Sequence, residues 1–255
     1  MRRLAVRYGI ERSQIGELWH PGGEGPFPTV VLVHGGFWRA AATKRLMRPL
    51  AAALSSEGFA VWNIEYRRTG AGGGGGGWPA TFEDVAGAVD HLARIPGVRT
   101  DRVLTCGHSA GGHLALWAAG RHRLPDGAPG SAPALRPCAA ISLAGVADLE
   151  AADRDGLGRG AVAALLGDGA AIRAERYPLT SPRALLPLGV PQVLIHGTAD
   201  VTVPAGQSAG YAAAARAAGD DVRLITLPDA DHRAVTRRHG AAWSALRSEA
   251  HRLLD

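Results

Sequence analysis

An α/β fold is predicted, with a mostly parallel central sheet, helices on both faces and a small helical lid. Three observations point to it. Short apolar runs alternate with helical stripes along the chain, the order expected of parallel strands joined by crossover helices. The runs are β-branched and lack polar alternation, as in Thr29–Val33, which suits strands covered on both faces. A chain of 255 residues, 46% hydrophobic and 20% charged, is long enough for one domain with a sizeable core, and we read residues 1–255 as that domain.

Residues 3–19 are more polar and are expected to add an antiparallel edge. After the strand at 29–33, Leu46, Leu50 and Leu54 recur at helical spacing, and Gly58 ends that helix. Phe59 to Tyr66 reads as the next strand. A glycine-rich loop, Gly70 to Gly77, then precedes a stripe of Phe82, Val85, Val89 and Leu92, with Thr81 as its N-cap. Arg102–Cys106 is a strand and residues 110–120 a helix. Ala139–Val146, Gln192–His196 and Val222–Leu227 supply further strands, and residues 205–218 and 240–254 the late helices. Residues 147–190 break the rhythm with short Ala/Leu patches and three prolines, so we read them as the lid insertion.

Several function classes are excluded. The net charge is +5, but Lys44 is the only lysine and the arginines are scattered in runs no longer than two, unlike a cationic face that tracks phosphates. Nucleic acid is therefore not an expected partner. No apolar run reaches the roughly 18 residues of a membrane span, and no apolar stretch of signal-peptide length follows Arg2 and Arg3. The expectation is a soluble cytoplasmic protein without a membrane partner. Cys106 and Cys138 sit in apolar runs and read as small hydrophobes.

The chemistry is concentrated at three strand ends. Gly107-His-Ser-Ala-Gly-Gly112 lies between a strand and a helix, so Ser109 reads as a nucleophile on a sharp turn that only small neighbours tolerate. His34-Gly-Gly-Phe-Trp38 ends the first central strand. Gly35 and Gly36, together with Ala110, are candidate N–H donors to an oxyanion, and His34 reads as a loop strut. Phe37, Trp38 and His108 are candidates for the substrate pocket, packing being the default for the two aromatics. His196-Gly-Thr-Ala-Asp200 ends a late strand and offers Asp200 as the acid that orients a histidine, with Asp148 as the fallback. His232 follows the last strand as the general base, while His239 and His251 fall in the terminal helical region.

These motifs, in the order Ser109, Asp200, His232, resemble the α/β-hydrolase superfamily over nearly the full length. Within it the chain is similar to kynurenine formamidases, hormone-sensitive-lipase-like carboxylesterases, feruloyl-type esterases and prolyl-oligopeptidase-like peptidases. The resemblance implies an α/β-hydrolase fold and a serine hydrolase acting through an acyl-enzyme on a small-molecule ester or amide. The best specific expectation is arylformamidase activity of the N-formylkynurenine type, because the oxyanion segment lacks the third glycine of the lipase-like branch. The alternative is a short-chain carboxylesterase or feruloyl-type esterase; peptidase, acyltransferase and non-catalytic binding readings are weaker. Two further features bear on the resemblance. His232 is followed by Arg233 where an aromatic is common, and Glu65-Tyr66-Arg67 is expected to form a buried ion pair.

Gly70–Gly75 fits G-x-G-x-x-G, but Trp78-Pro79 separates it from the next helix, so no dinucleotide site is expected and the loop reads as flexible. No metal spacing such as H-E-x-x-H occurs, and no cofactor is expected. A homodimer is kept as an option.

Overall fold

The β-branched runs do become strands of one sheet. The computed structural model describes residues 2–255, and among these the strands are β1 (Arg2–Arg7), β2 (Ile15–His20), β3 (Phe27–Val33), β4 (Ala60–Ile64), β5 (Val98–His108), β6 (Ala139–Leu143), β7 (Gln192–Gly197) and β8 (Val222–Leu227). Their spatial order is β1-β2-β4-β3-β5-β6-β7-β8. Strands β3 to β8 run parallel; β1 and β2 form an antiparallel hairpin, and β2 pairs antiparallel to β4. The expected antiparallel edge is thus present, built of two strands.

The helices are α1 (Arg48–Ser56), α2 (Ala80–His91), α3 (Ala110–Gly120), α4 (Leu149–Arg154), α5 (Ala161–Leu166), α6 (Ala170–Thr180), α7 (Gly206–Ala217) and α8 (Gly240–Leu254). The period-2 alternation of strand side chains divides the core in two. Val30 and Leu32 of β3 pack on one face with Leu50 and Leu54 of α1 and Leu246 of α8. Val31 and Val33 point the other way, towards Val89, Leu114 and Trp117. Helix α3 is buried on every side from Ala110 to Gly120, which explains its lack of a polar stripe.

Five local expectations change. Leu46 is 62% exposed and Met47 takes its place in the core, because residues Lys44–Met47 form a 3-10 turn whose tighter winding rotates the stripe. Thr81 does not cap α2, whose N-cap is Pro79; its hydroxyl instead donates to Arg67 O at 2.6 Å and accepts from Gly77 N at 2.9 Å. The strand at 102–106 extends to Val98–His108, and the strand at 139–146 stops at Leu143, where Ala144 turns to φ 47°. The glycine run is not a loose loop. Gly76 N donates to Arg68 O at 2.9 Å, and a Cβ at Gly76 would lie 2.3 Å from Arg68 N, so the run is folded tightly onto the 67–68 backbone. Residues 147–190 are helical as expected, carrying α4, α5 and α6 and a 3-10 turn at Pro182–Leu185.

Candidate active site

The parallel order brings the C-terminal ends of β3, β5, β7 and β8 to one edge of the sheet, where α/β folds place their ligands. Ser109 follows β5 with φ 57° and ψ −123°, a conformation L-residues rarely adopt, and α3 begins at the next residue. Its N–H donates to Leu143 O at 2.9 Å and it is 2% exposed. The turn closes only because of its glycines: a Cβ at Gly111 would lie 2.1 Å from Val33 O.

The loop after β3 lies against this turn. A Cβ at Gly35 would be 2.6 Å from His108 O and 2.9 Å from Ser109 Cβ. Gly36, Phe37 and Trp38 all have positive φ, at 108°, 52° and 56°. The strain is held by Trp38, which is fully buried and donates its indole N–H to His113 Nδ1 at 3.2 Å, while Trp38 O accepts from Thr69 N at 2.8 Å. Below it, His34 Nε2 bonds Glu65 Oε1 at 2.7 Å and its ring stacks on Tyr66 at 4.3 Å, the strut foreseen from sequence. Among the described residues, the N–H groups of Gly35, Gly36 and Ala110 have no protein acceptor. Ala110, as the first residue of α3, has no intrahelical partner to give to.

The acid and the histidine meet as expected. His232 Nδ1 donates to Asp200 Oδ2 at 2.7 Å, and the Asp200 side chain is wholly buried. Asp200 Oδ1 accepts the N–H groups of Thr202 (2.9 Å) and Val203 (2.8 Å), which fixes the carboxylate. His196 Nε2 stands 3.2 Å from Asp200 Oδ2 and 2.9 Å from Val203 O, with its Nδ1 at 2.7 Å from Ser208 Oγ. Burial lowers the His196 pKa and favours the neutral ring. Among the described residues Ser109 Oγ has no hydrogen-bond partner, a common state before substrate tightens such contacts.

One pocket candidate is corrected. Trp38 is core, with no exposed surface. His108 turns its ring towards His232, with centroids 4.5 Å apart, and its Nε2 donates to the His232 backbone O at 2.8 Å. Phe37 is half-buried and meets the insertion, since a Cβ at Gly158 would lie 2.5 Å from its ring. The fallback Asp148 caps α4 by accepting from Ala151 N and stands 3.4 Å from Arg183, so it is committed elsewhere. Arg67 forms the foreseen ion pair, with Asp84, at 2.7 Å. Cys106 is buried, its thiol pushed up to about 12 by desolvation, and Cys138 is also free.

A cavity of about 590 Å³ is bordered by Asp148, Glu150, Arg183, Pro204, Gln207 and Tyr211. Neither Ser109 nor His232 lines it; it approaches the site through Pro204, next to the loop held by Asp200. Among the described residues no cluster is placed to hold a metal ion, and no helix is long and apolar enough to cross a membrane.

Sequence alone assigns no role to His113 or His196, and gives Glu65 only a place in the ion-paired Glu65-Tyr66-Arg67 segment. His113 is buried on α3, and His196 and Glu65 sit at or just beyond strand ends; all three are bonded to the loops that carry the site. A polar residue inside an otherwise apolar strand or helix was the available signal.

Against solved structures the chain overlays a bifunctional GH43-CE protein of Bacteroides eggerthii with TM-score 0.84 and 23% identity, covering 99% of this chain and 38% of that one. A truncated carbohydrate esterase from gut microbiota gives TM-score 0.81 and 19% identity over 99% and 96% of the two chains. Esterase 2 of Thermogutta terrifontis, with butyrate bound, gives TM-score 0.77 and 22% identity over 99% and 93%. These likenesses share the α/β-hydrolase fold. No curated protein matches the chain. The BD-FAE family profile matches residues 18–214, which include Gly35, Ser109 and Asp200, and the chain therefore belongs to the BD-FAE family of α/β-hydrolase esterases.

Proposed function

We propose that the chain is a serine carboxylesterase for small esters. The observation that carries this reading is the Asp200–His232 pair at 2.7 Å beside a serine held on a strained turn against Gly35. Ser109 Oγ attacks the ester carbonyl carbon while His232 Nε2 takes its proton. Asp200 keeps the His232 Nδ1 proton in place and stabilises the imidazolium. The free N–H groups of Gly35, Gly36 and Ala110 receive the oxyanion, and the positive end of α3 supports the same charge. His232 returns the proton to the leaving alkoxide. Water, deprotonated by His232, then attacks the acyl-enzyme, and Ser109 is regenerated with release of the acid. The insertion at 147–190, which reaches Phe37 through Gly158, is the segment we assign to shaping the acyl pocket.

Membership of an esterase family favours the ester over the formamide expected first from the His-Gly-Gly-Phe-Trp segment. The test is kcat/KM for a short p-nitrophenyl ester against N-formylkynurenine, with Ser109→Ala as control. The ester is expected to be turned over many-fold faster. A formamide preference overturns the carboxylesterase reading in favour of arylformamidase, and activity that survives in Ser109→Ala overturns both.

A further inference from the structure

We propose that His108 is a positioning residue that sets where the general base stands. The inference rests on the reading of Ser109 as nucleophile and His232 as base. His232 is carried on the turn after β8, and its ring is hydrogen-bonded by Asp200 at Nδ1. Its backbone is fixed separately: the carbonyl of His232 accepts from His108 Nε2 at 2.8 Å. His108 is the last residue of β5 and directly precedes Ser109, so the strand that presents the nucleophile also holds the main chain of the base. The tilted stacking of the two rings, 4.5 Å between centroids at 43°, limits rotation of His232 about its own side chain. Both the reach and the angle of Nε2 towards Ser109 Oγ therefore depend on His108.

The contact requires a defined tautomer. With Nε2–H given to a carbonyl, the neutral ring leaves Nδ1 unprotonated. Burial, first, and the neighbouring His232 ring keep His108 neutral, its pKa pushed down to about 4; the bond to the His232 carbonyl and the Asp200 charge oppose this, and His196 adds to it. A neutral His108 avoids like-charge repulsion when His232 becomes imidazolium in the transition state.

The test compares His108→Phe, which keeps a flat ring without the donor, with His108→Gln, which restores an N–H at similar reach. Misplacing the base is expected to lower kcat for a short p-nitrophenyl ester about 10- to 100-fold in His108→Phe with KM held within about 3-fold. His108→Gln should recover most of the loss. A rise in KM at unchanged kcat would mean that His108 contacts substrate, and wild-type kcat in His108→Phe would mean that the tie is idle; either overturns the proposal. Ser109→Ala and His232→Ala are run beside them: full activity there sinks the serine-esterase reading itself, whereas their inactivity beside a wild-type-like His108→Phe sinks only the role of His108. An independent measurement needs no folded variant at that position. Nitrogen-15 NMR of wild-type histidines should show His108 as the Nε2–H tautomer at pH 7, and an Nδ1–H tautomer overturns the proposal.

Discussion

Acidification should destabilise the protein through His113, and the size of the effect can be worked from its surroundings. The ring is fully buried on α3, accepting from Trp38 Nε1 at Nδ1 and giving Nε2–H to Thr180 O at 2.9 Å. Burial pushes its pKa from 6.5 down to about 4, the bond to Thr180 opposing only part of that shift. Between those values the unfolded chain binds a proton that the folded chain refuses. Stability is thus fully present above about pH 6.5 and is lost as the pH falls towards 4. For these two pKa values the loss between pH 8 and pH 5 comes to about 2 kcal/mol from this one residue. The assay is urea unfolding of wild type and His113→Gln at several pH values. The wild-type curve should fall more steeply, by about that amount at pH 5. Parallel curves would refute the reasoning. Because His113 joins Trp38 to the insertion, the acid-weakened wild type should also lose esterase activity before it loses helical signal.

Gly35→Ala would place a Cβ 2.6 Å from His108 O and push the oxyanion loop away from Ser109. Esterase kcat is expected to drop about 100- to 1000-fold with the fold retained by circular dichroism, and a drop under 3-fold counts against Gly35 as a donor. Arg67→Met strands the fully buried Asp84 charge and should cost about 3–5 kcal/mol in urea unfolding. The double change Arg67→Met, Asp84→Leu should recover much of that loss, and no recovery would show that the pair does more than neutralise itself.

Much of the site was legible because it sits where chain order and strand ends coincide. Thr29–Val33 and Arg102–Cys106 announce buried strands by composition, and the residues just beyond strand ends are the ones the fold delivers to one edge. His232 could be chosen over His239 on that ground, but Asp148 also follows a strand; the 2.7 Å bond of Asp200 to His232 and the capping of α4 by Asp148 separate the two acids. What was not legible depends on partners distant in sequence. Packing is the default for Trp38, yet the sequence does not show its partner, His113, 75 positions away. His108 reads as a pocket residue, and its bond to the turn after β8, 124 positions further on, is equally hidden in the sequence. Thr81 resembles a cap because its nearest sequence neighbours suit one, but its hydroxyl has a better partner in Arg67 O. The glycine run looked flexible because sequence shows missing side chains and not the backbone of Arg67 and Arg68 that needs the room.

The central claim is that Ser109 forms a covalent acyl-enzyme, with Asp200 and His232 driving both halves of the reaction. The most direct measurement mixes the protein rapidly with a p-nitrophenyl ester, quenches it, and locates the acyl mass by peptide mass spectrometry. The account predicts a burst of nitrophenol close to one equivalent per chain, with the acyl group on Ser109 and the burst lost in Ser109→Ala and strongly slowed in Asp200→Asn. Turnover without any trapped acyl group, or an acyl group on another side chain, would contradict it.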